Sequence, residues 1–359
     1  MGAVTSADQV VREDLSNLFI NLDKRKTPFL SLLRRGENLQ NVKLFSWALE
    51  GYDGRMLEGI PENKDVDAFE TDKQEQLYGR SQKFWRRPHV TVEANTINRA
   101  PADFGKYNKQ VVKKIEEQKR DIQSRLLSDA DSRDDDGLVG REFMGLGRFV
   151  NDAVSVGSAG AALTFTDTQT AIPAAFRTPT AQIYVGALYT TTSGVVDGLT
   201  FTENTLNGML SSRWDALGEP ADFIGFVDAV LKTHLTRIER YAPTLTGFTA
   251  TQRQMVNPQS AKRYQTYGAD VIETDYGMID IHLISFMPRN PTTGAMTGRG
   301  YFLDMDLMAL RASGLYLTHQ QLEDKGAGPR GLIQSILGPQ WGDPRAHLKV
   351  DPNVISTGT

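Results

Sequence analysis

The 359-residue sequence contains no cysteine. That absence removes disulfides, thiolate nucleophiles and cysteine zinc sites together, so stability must come from packing or from association with partners. Histidine is scarce: His89, His234, His282, His319 and His347 are scattered, without an H-x-x-x-H pair or a carboxylate at zinc spacing. No apolar run approaches the roughly 18 residues that a membrane-spanning helix needs, so a soluble chain with no membrane contact is expected. Charge of one sign is lacking as well. With 40 Lys+Arg against 44 Asp+Glu the formal net charge is −4, which excludes wholesale wrapping of nucleic acid but leaves room for a local basic surface. There is no G-x-S-x-G elbow and no P-loop, and nothing local proposes a catalytic residue, a metal site or a cofactor.

The first residues, MGAVTSADQVVREDL, lack a basic region followed by an apolar core, so cytoplasmic synthesis is expected. They also fit the short myristoylation pattern at Gly2 and Ser6, which arises often by chance. Residues Asp8 to Leu33 read as a short helix, a break at Pro28 and a second apolar turn. A strand-like run follows around Val42 to Leu49, then about 25 polar, Gly- and Pro-punctuated residues, then a second run from Lys83 to Ala94. The middle has too few apolar anchors to fold on itself. Its expected task is to lie on another molecule.

Residues 103–130 read as one long helix. At 100° per residue Phe104, Tyr107, Val111, Ile115, Ile122 and Leu126 share a narrow arc, with Lys113, Glu116, Glu117, Arg120 and Ser124 opposite. Glu116 with Arg120, and Asp121 with Arg125, have the favourable i,i+4 order. Its span of roughly 40 Å suits a strut better than a core helix. Residues Asn151 to Gly198, rich in Ala, Gly, Ser and Thr, read as a surface excursion. In LTFTENTLNGMLSSRWDALGEP, Thr202 is a good N-cap, Leu206, Met209, Leu210 and Trp214 form an apolar face, and Gly218 with Pro220 ends the helix. ADFIGFV then reads as a buried strand, followed by a helix through Leu231, Leu235 and Ile238. DVIETDYGMIDIHLI reads as two strands about Gly277, and GYFLDMDLMALRAS as one more. Without regular β–α alternation the fold class is α+β.

Three stretches invite chemistry. DSRDDDG resembles a calcium loop, but with Gly137 in place the required Glu falls on Phe143, which favours a solvated acidic loop. GAGPRG, Gly326 to Gly331, matches G-x-G-x-x-G without a buried strand before it, which favours a turn. KFWRRPH, Lys83 to His89, joins cations to aromatics. That mixture serves nucleic acid or, preferred here, a subunit interface in which Arg86 and Arg87 meet carboxylates.

The order of KTPFLSLL, the loop between Trp47 and Asn95, KKIEEQKRDIQSRLL, LTFTENTLNGMLSSRWDALGEPADFIGF, and DVIETDYGMIDIHLI with YFLDMDLMALR resembles the major capsid proteins of tailed double-stranded-DNA bacteriophages, a fold shared with the herpesvirus capsid floor. The likeness spans most of the chain and lies in order and spacing rather than in a signature. It implies an N-terminal arm over residues 1–45 and an extended loop over 46–95. It also implies a peripheral domain over 96–202 with the helix as its spine, an axial domain over 203–312, and closing peripheral strands with a C-terminal tail over 313–359. Trp85, Arg86, Arg87, Met56, Ile60 and Phe69 become candidates for contact between subunits. The implied function is a structural head protein assembling as pentamers and hexamers into an icosahedral virion shell, made in the host cytoplasm. The implied partners are many copies of itself, scaffolding and portal proteins, a decoration protein, and packaged double-stranded DNA touched without sequence preference. The alternatives are a nucleotide-dependent enzyme using Gly326 to Gly331, or another virion part such as a tail component.

Overall fold

Pro28 opens the first helix rather than ending one, because at the first helical position its missing N–H is not needed. A computed structural model describes residues 26–39, 43–51, 62, 73–93, 106–151, 176–192, 195–220, 222–240, 271–289, 294, 296–324, 326 and 328–352. Along the chain come α1 (Pro28–Leu32), β1 (Leu44–Gly51), β2 (Lys73–Arg80), β3 (Gln82–Arg86), α2 (Lys106–Leu126) and α3 (Leu146–Phe149). Then follow β4 (Ile183–Tyr184), β5 (Tyr189–Thr192), β6 (Val195–Leu199), α4 (Glu203–Leu217), β7 (Phe223–Val227) and α5 (Ala229–Arg240). The last third holds β8 (Val271–Thr274), β9 (Gly277–Leu283), β10 (Gly300–Leu303), β11 (Ala309–Ala312), β12 (Thr318–Leu322), β13 (Arg330–Gln340) and β14 (Leu348–Val350).

Two larger sheets organise these elements. The six-stranded one runs β4-β14-β10-β7-β9-β8, with β7 parallel to β9 and β14 parallel to β4. Strand alternation sends its side chains into two cores. Phe223, Val227, Ile279, Ile281 and Phe302 face Leu206, Met209 and Leu210 of α4 and Leu231 and Leu235 of α5. Phe226 and Tyr301 point the other way, where Phe226 meets Phe29 edge-on at 5.0 Å. The four-stranded sheet is built on β13, which pairs with β11 and β12 along one edge and with β3 along the other.

Several expectations need correction. The return strand of the extended loop is β2, KQEQLYGR, paired with β1 from Leu44↔Arg80 to Gly51↔Lys73. It escapes a hydrophobic-pattern reading because a two-stranded ribbon presents most of its surface to solvent, and only Leu77 of β2 is a buried apolar residue. On α4, Trp214 is 46% exposed and Arg213 is buried in its place. The stripe 206/209/210/213 is the i, i+3, i+4, i+7 set, and Trp214 lies a further 100° around. Arg213 donates to the Glu219 carbonyl, pairs with Asp304 at 3.1 Å and lies over the Phe223 ring. The excursion is not all surface: Phe176, Thr178, Gln182, Ile183 and Leu188 are buried. GYFLDMDLMALRAS forms two strands, β10 and β11, which enter different sheets across a 3-10 turn at Met305–Leu307. Residues 203–312 therefore supply β7 to β10 of the six-stranded sheet, while β4 and β14 join it from the flanks.

Thr202 caps α4 by accepting from the Thr205 N–H, and Gly218 ends it at φ 75°. The first helix read before Pro28 and residues 152–175 of the excursion lie outside the described residues.

Candidate functional site

The long helix α2 has 21 residues, about 31 Å at the helical rise, and it crosses one face of the β13 sheet. Its stripe is graded along its length. Ile122 and Leu126 are fully buried, Tyr107, Val111 and Ile115 are half-buried, and Phe104 lies outside the described residues. Two glutamines join the buried face. Gln118 donates to the Phe84 carbonyl at 2.9 Å, and Gln123 accepts from the Leu30 N–H at 3.3 Å, tying helix to sheet and to α1. Tyr107 Oη lies 3.0 Å from His319 Nε2 at the other end. A helix fastened at both ends and in the middle resists bending as a single bar.

The β1–β2 ribbon leaves this frame from a rigid base. Phe45 stacks with Trp47 at 6.1 Å, both are buried with Leu77, and Trp47 Nε1 donates to the Gly342 carbonyl at 2.9 Å. Glycine at position 79 is required by close approach, since a Cβ there would stand 2.5 Å from Phe45 and 3.1 Å from Trp47. Met56, Ile60 and Phe69, expected to touch a neighbouring subunit, lie outside the described residues.

Alternation along β3 divides KFWRRPH. Phe84 and Arg86 face α2, while Lys83, Trp85 and Arg87 face away from it and are exposed. Arg86 is thus not free to reach a neighbour's carboxylate: it holds Asp121 of its own helix through two 2.6 Å hydrogen bonds, with Glu117 at 3.6 Å. Trp85 is 58% exposed, with Lys83 Nζ 5.7 Å and the Arg87 guanidinium 5.4 Å from its ring centre.

The two loop motifs are turns. The Val139 and Leu138 N–H groups, and after them Arg133, donate to Asp136 and together hold its carboxyl down at about 2, and Asp134 pairs with Arg80 at 2.6 Å. No group of three His, Cys, Asp or Glu able to hold a metal occurs among the described residues. Gly326 and Gly328 turn β12 into β13, with both N–H groups on Asp324 Oδ1. Gly328 sits against the Val90 carbonyl, where a Cβ would stand 2.3 Å from that oxygen, so close backbone packing accounts for the glycine.

A charge cluster gave no signal in the sequence, because its members are far apart in the chain. Arg299 pairs with Asp129 just beyond α2 and with Asp351 beyond β14 at 2.6 Å, and Lys349 lies 3.3 Å from Asp351. Lys349 also donates to the Gly147 carbonyl at 2.8 Å. Burial pushes the Asp351 carboxyl up, but Lys349 and Arg299 outweigh it and hold it below the ordinary value. The cluster fastens the end of the helix to the six-stranded sheet.

Among the described residues the arrangement is a stiff frame with a projecting ribbon. A family model described as the SU10 major capsid protein matches residues 2–353. The chain belongs to the SU10 major capsid protein family. No curated protein sequence matches it. Solved capsids share its fold at low identity. The capsid of the cyanophage P-SCSP1u is 10% identical with a TM-score of 0.55, covering 98% of this chain and 95% of that one. The capsid of cyanophage A-1(L) gives 12% and 0.57, with coverage of 97% and 98%. The capsid of a native GTA particle gives 10% and 0.58, with 98% of both chains. This capsid protein is therefore a structural subunit of a phage head, of α+β class and tailed-phage capsid fold, and its place is the virion shell. The shell consists of many copies of it. Neither the nucleotide-enzyme nor the tail-component alternative finds support.

Proposed function

We propose that this shell subunit assembles as pentamers and hexamers into an icosahedral head around double-stranded DNA, after synthesis in the host cytoplasm. The observation that carries the proposal is the β1–β2 ribbon: eight strand pairs anchored at a buried aromatic base and directed out of their own core. Such a feature is stable in isolation only at its root, and a neighbouring copy supplies the rest of its contacts. In this reading residues 1–45 are an arm, and of the loop 46–95 the part before β3 is laid over the adjacent subunit, while β3 itself stays in the β13 sheet of its own subunit. The six-stranded sheet with α4 and α5 is the axial unit around the symmetry axes. The β13 sheet with α2 is the peripheral unit. Scaffolding, portal and decoration proteins complete the particle, and genome contact is non-specific and salt-sensitive. The chain performs no catalysis.

Negative-stain electron microscopy of the expressed chain, alone and with neighbouring virion proteins, tests this reading beside a sedimentation profile. Closed particles, or rings of five and six, are the expected result. A monomer that persists with every virion partner would overturn it.

A further inference from the structure

Just beyond α2 the chain doubles back on itself. Arg133 and Glu142 exchange both backbone hydrogen bonds, at 3.0 and 2.9 Å, and Asp136 holds the turn between them, so residues 131–143 form a closed hairpin. Arg125, in the last turn of α2, fastens both of its arms. The guanidinium donates to the Asp131 carbonyl at 3.2 Å and to the Phe143 carbonyl at 2.8 Å, and it pairs with Glu142 at 3.0 Å. The hairpin also grips the residues at which ribbon becomes sheet. Asp134 pairs with Arg80, the last residue of β2, at 2.6 Å, Arg141 Nε donates to the Ser81 carbonyl at 2.9 Å, and the Phe143 N–H donates to Gln82 Oε1 at 3.4 Å. The Asp134 carboxyl is held below its ordinary value, first by the Asp135 N–H and then, against some desolvation, by Arg80 and by Lys43, which precedes β1. One carboxylate thus serves the roots of both ribbon strands.

These contacts complement the aromatic base. Phe45, Trp47 and Leu77 belong to one row of ribbon side chains, whereas Arg80, which pairs with Leu44, ends the other row. The base fixes where the ribbon starts, and a second grip on the other row fixes its tilt. Tilt matters because the ribbon is a lever. Its eight pairs span about 25 Å, so a swing of about 20° at the root moves the far end by about 9 Å, roughly two strand spacings. Resting on the shell reading above, we propose that hairpin 131–143 is a bracket that sets the angle between the ribbon and the long helix, with Asp134 and Arg141 as its positioning residues, so that copies of the chain meet at one angle and the shell takes one curvature. The exposures fit this assignment. Arg80 is 4% exposed and Asp134 54%, so the surrounding fold fixes the guanidinium and the hairpin brings the carboxylate to it. Repeated contacts close only where the rotation between copies is the same each time.

The test exploits the absence of native cysteine. Ala48→Cys on the ribbon and Lys113→Cys on the long helix, both exposed positions, carry spin labels in the unassembled full-length subunit, and pulsed electron resonance reads the distances between them. With the bracket intact one narrow distribution is expected. Asp134→Ala combined with Arg141→Ala is expected to broaden it roughly twofold, while Asp134→Glu, whose carboxylate still reaches Arg80, leaves it narrow. An unchanged width in the folded double variant overturns the bracket, since the aromatic base then sets the angle alone. If the double variant lacks a thermal transition, Arg141→Ala decides in its place: it keeps the Arg80–Asp134 pair, and part-way broadening supports the bracket where none overturns it. Microscopy of the unlabelled proteins reads the consequence. The unaltered chain is expected to give particles of one diameter and the double variant mixed diameters or open fragments; uniform particles from that variant overturn the link to curvature. Absence of particles from the unaltered chain with every virion partner overturns the shell reading and that link, and the label distances still decide the bracket.

Discussion

Arg86 grips Asp121 with a two-pronged contact, Nε to one carboxylate oxygen and Nη2 to the other, each at 2.6 Å. This pair joins the edge strand β3 to the long helix. Both side chains are more than a third exposed, so solvent screens the pair and Arg86→Ala is expected to cost only about 1 kcal/mol in chemical denaturation. Arg86→Lys should recover part of that loss, because an ammonium cannot reproduce the planar fork. Equal stability of all three proteins would show that the pair contributes nothing.

The grading of burial along α2 separates two substitutions of the same chemistry. Ile122→Asp places a charge at a fully buried site beside the Gln123 contact to α1 and is expected to cost more than about 4 kcal/mol, leaving insoluble or unfolded chain. Ile115→Asp, at a half-buried position, can turn its carboxylate toward water and should cost roughly 1–2 kcal/mol. Soluble expression and thermal unfolding of both variants check this, and a reversed order would contradict the placement of the stripe.

At the root of the ribbon, Gly79→Ala drives a methyl group into the Phe45 and Trp47 rings. Overpacking of this kind costs about 1–3 kcal/mol. Faster hydrogen exchange at the β1 amides, with α2 amides unchanged, is the expected signature.

Deleting residues 53–71 leaves β1 and β2 intact, with the buried contacts of Phe45, Trp47 and Leu77. The subunit is therefore expected to keep its thermal transition while losing stable shells. Extending the deletion to Gly79 removes β2 and exposes the aromatic base, so it should destabilise the subunit too. Sedimentation and thermal unfolding of the two deletions tell the effects apart.

His347 gives the fold a pH dependence. The neutral ring with its proton on Nε2 satisfies both neighbours: Nε2 donates to the Trp341 carbonyl at 3.0 Å and Nδ1 accepts from the Asp304 N–H at 3.4 Å. Burial lowers its pKa, against the pull of the Trp341 carbonyl and the nearby Asp304 and Asp343, while Arg213 lowers it further. Below the ordinary histidine value of 6.5 the unfolded chain takes up a proton that the native site refuses. Stability contributed by this group is thus complete above that pH and falls as pH drops, by at most about 1.4 kcal/mol per unit. Thermal unfolding between neutral and mildly acid pH should show this slope, and His347→Gln should flatten it.

Much of this protein was legible wherever one local rule acted alone. Absent cysteine, the 3.6-residue stripe of α2, the Thr202 cap and the Gly218 stop needed no knowledge of distant residues, and they fix helices and their ends. The order of those segments carried the family likeness. Tertiary structure decided the rest. It made a strand of KQEQLYGR, because backbone pairing with β1 stabilises a ribbon that hydrophobic alternation does not mark. It turned Arg213 inward and Trp214 outward, because Asp304 and the Glu219 carbonyl, 85 residues apart in the chain, together satisfy a buried guanidinium. It assigned Arg86 to its own helix, and it gathered Asp129, Arg299, Lys349 and Asp351 from three distant stretches. Local propensity reads neighbours in the chain, whereas charge and close packing depend on neighbours in space, and only the folded sheets bring those together.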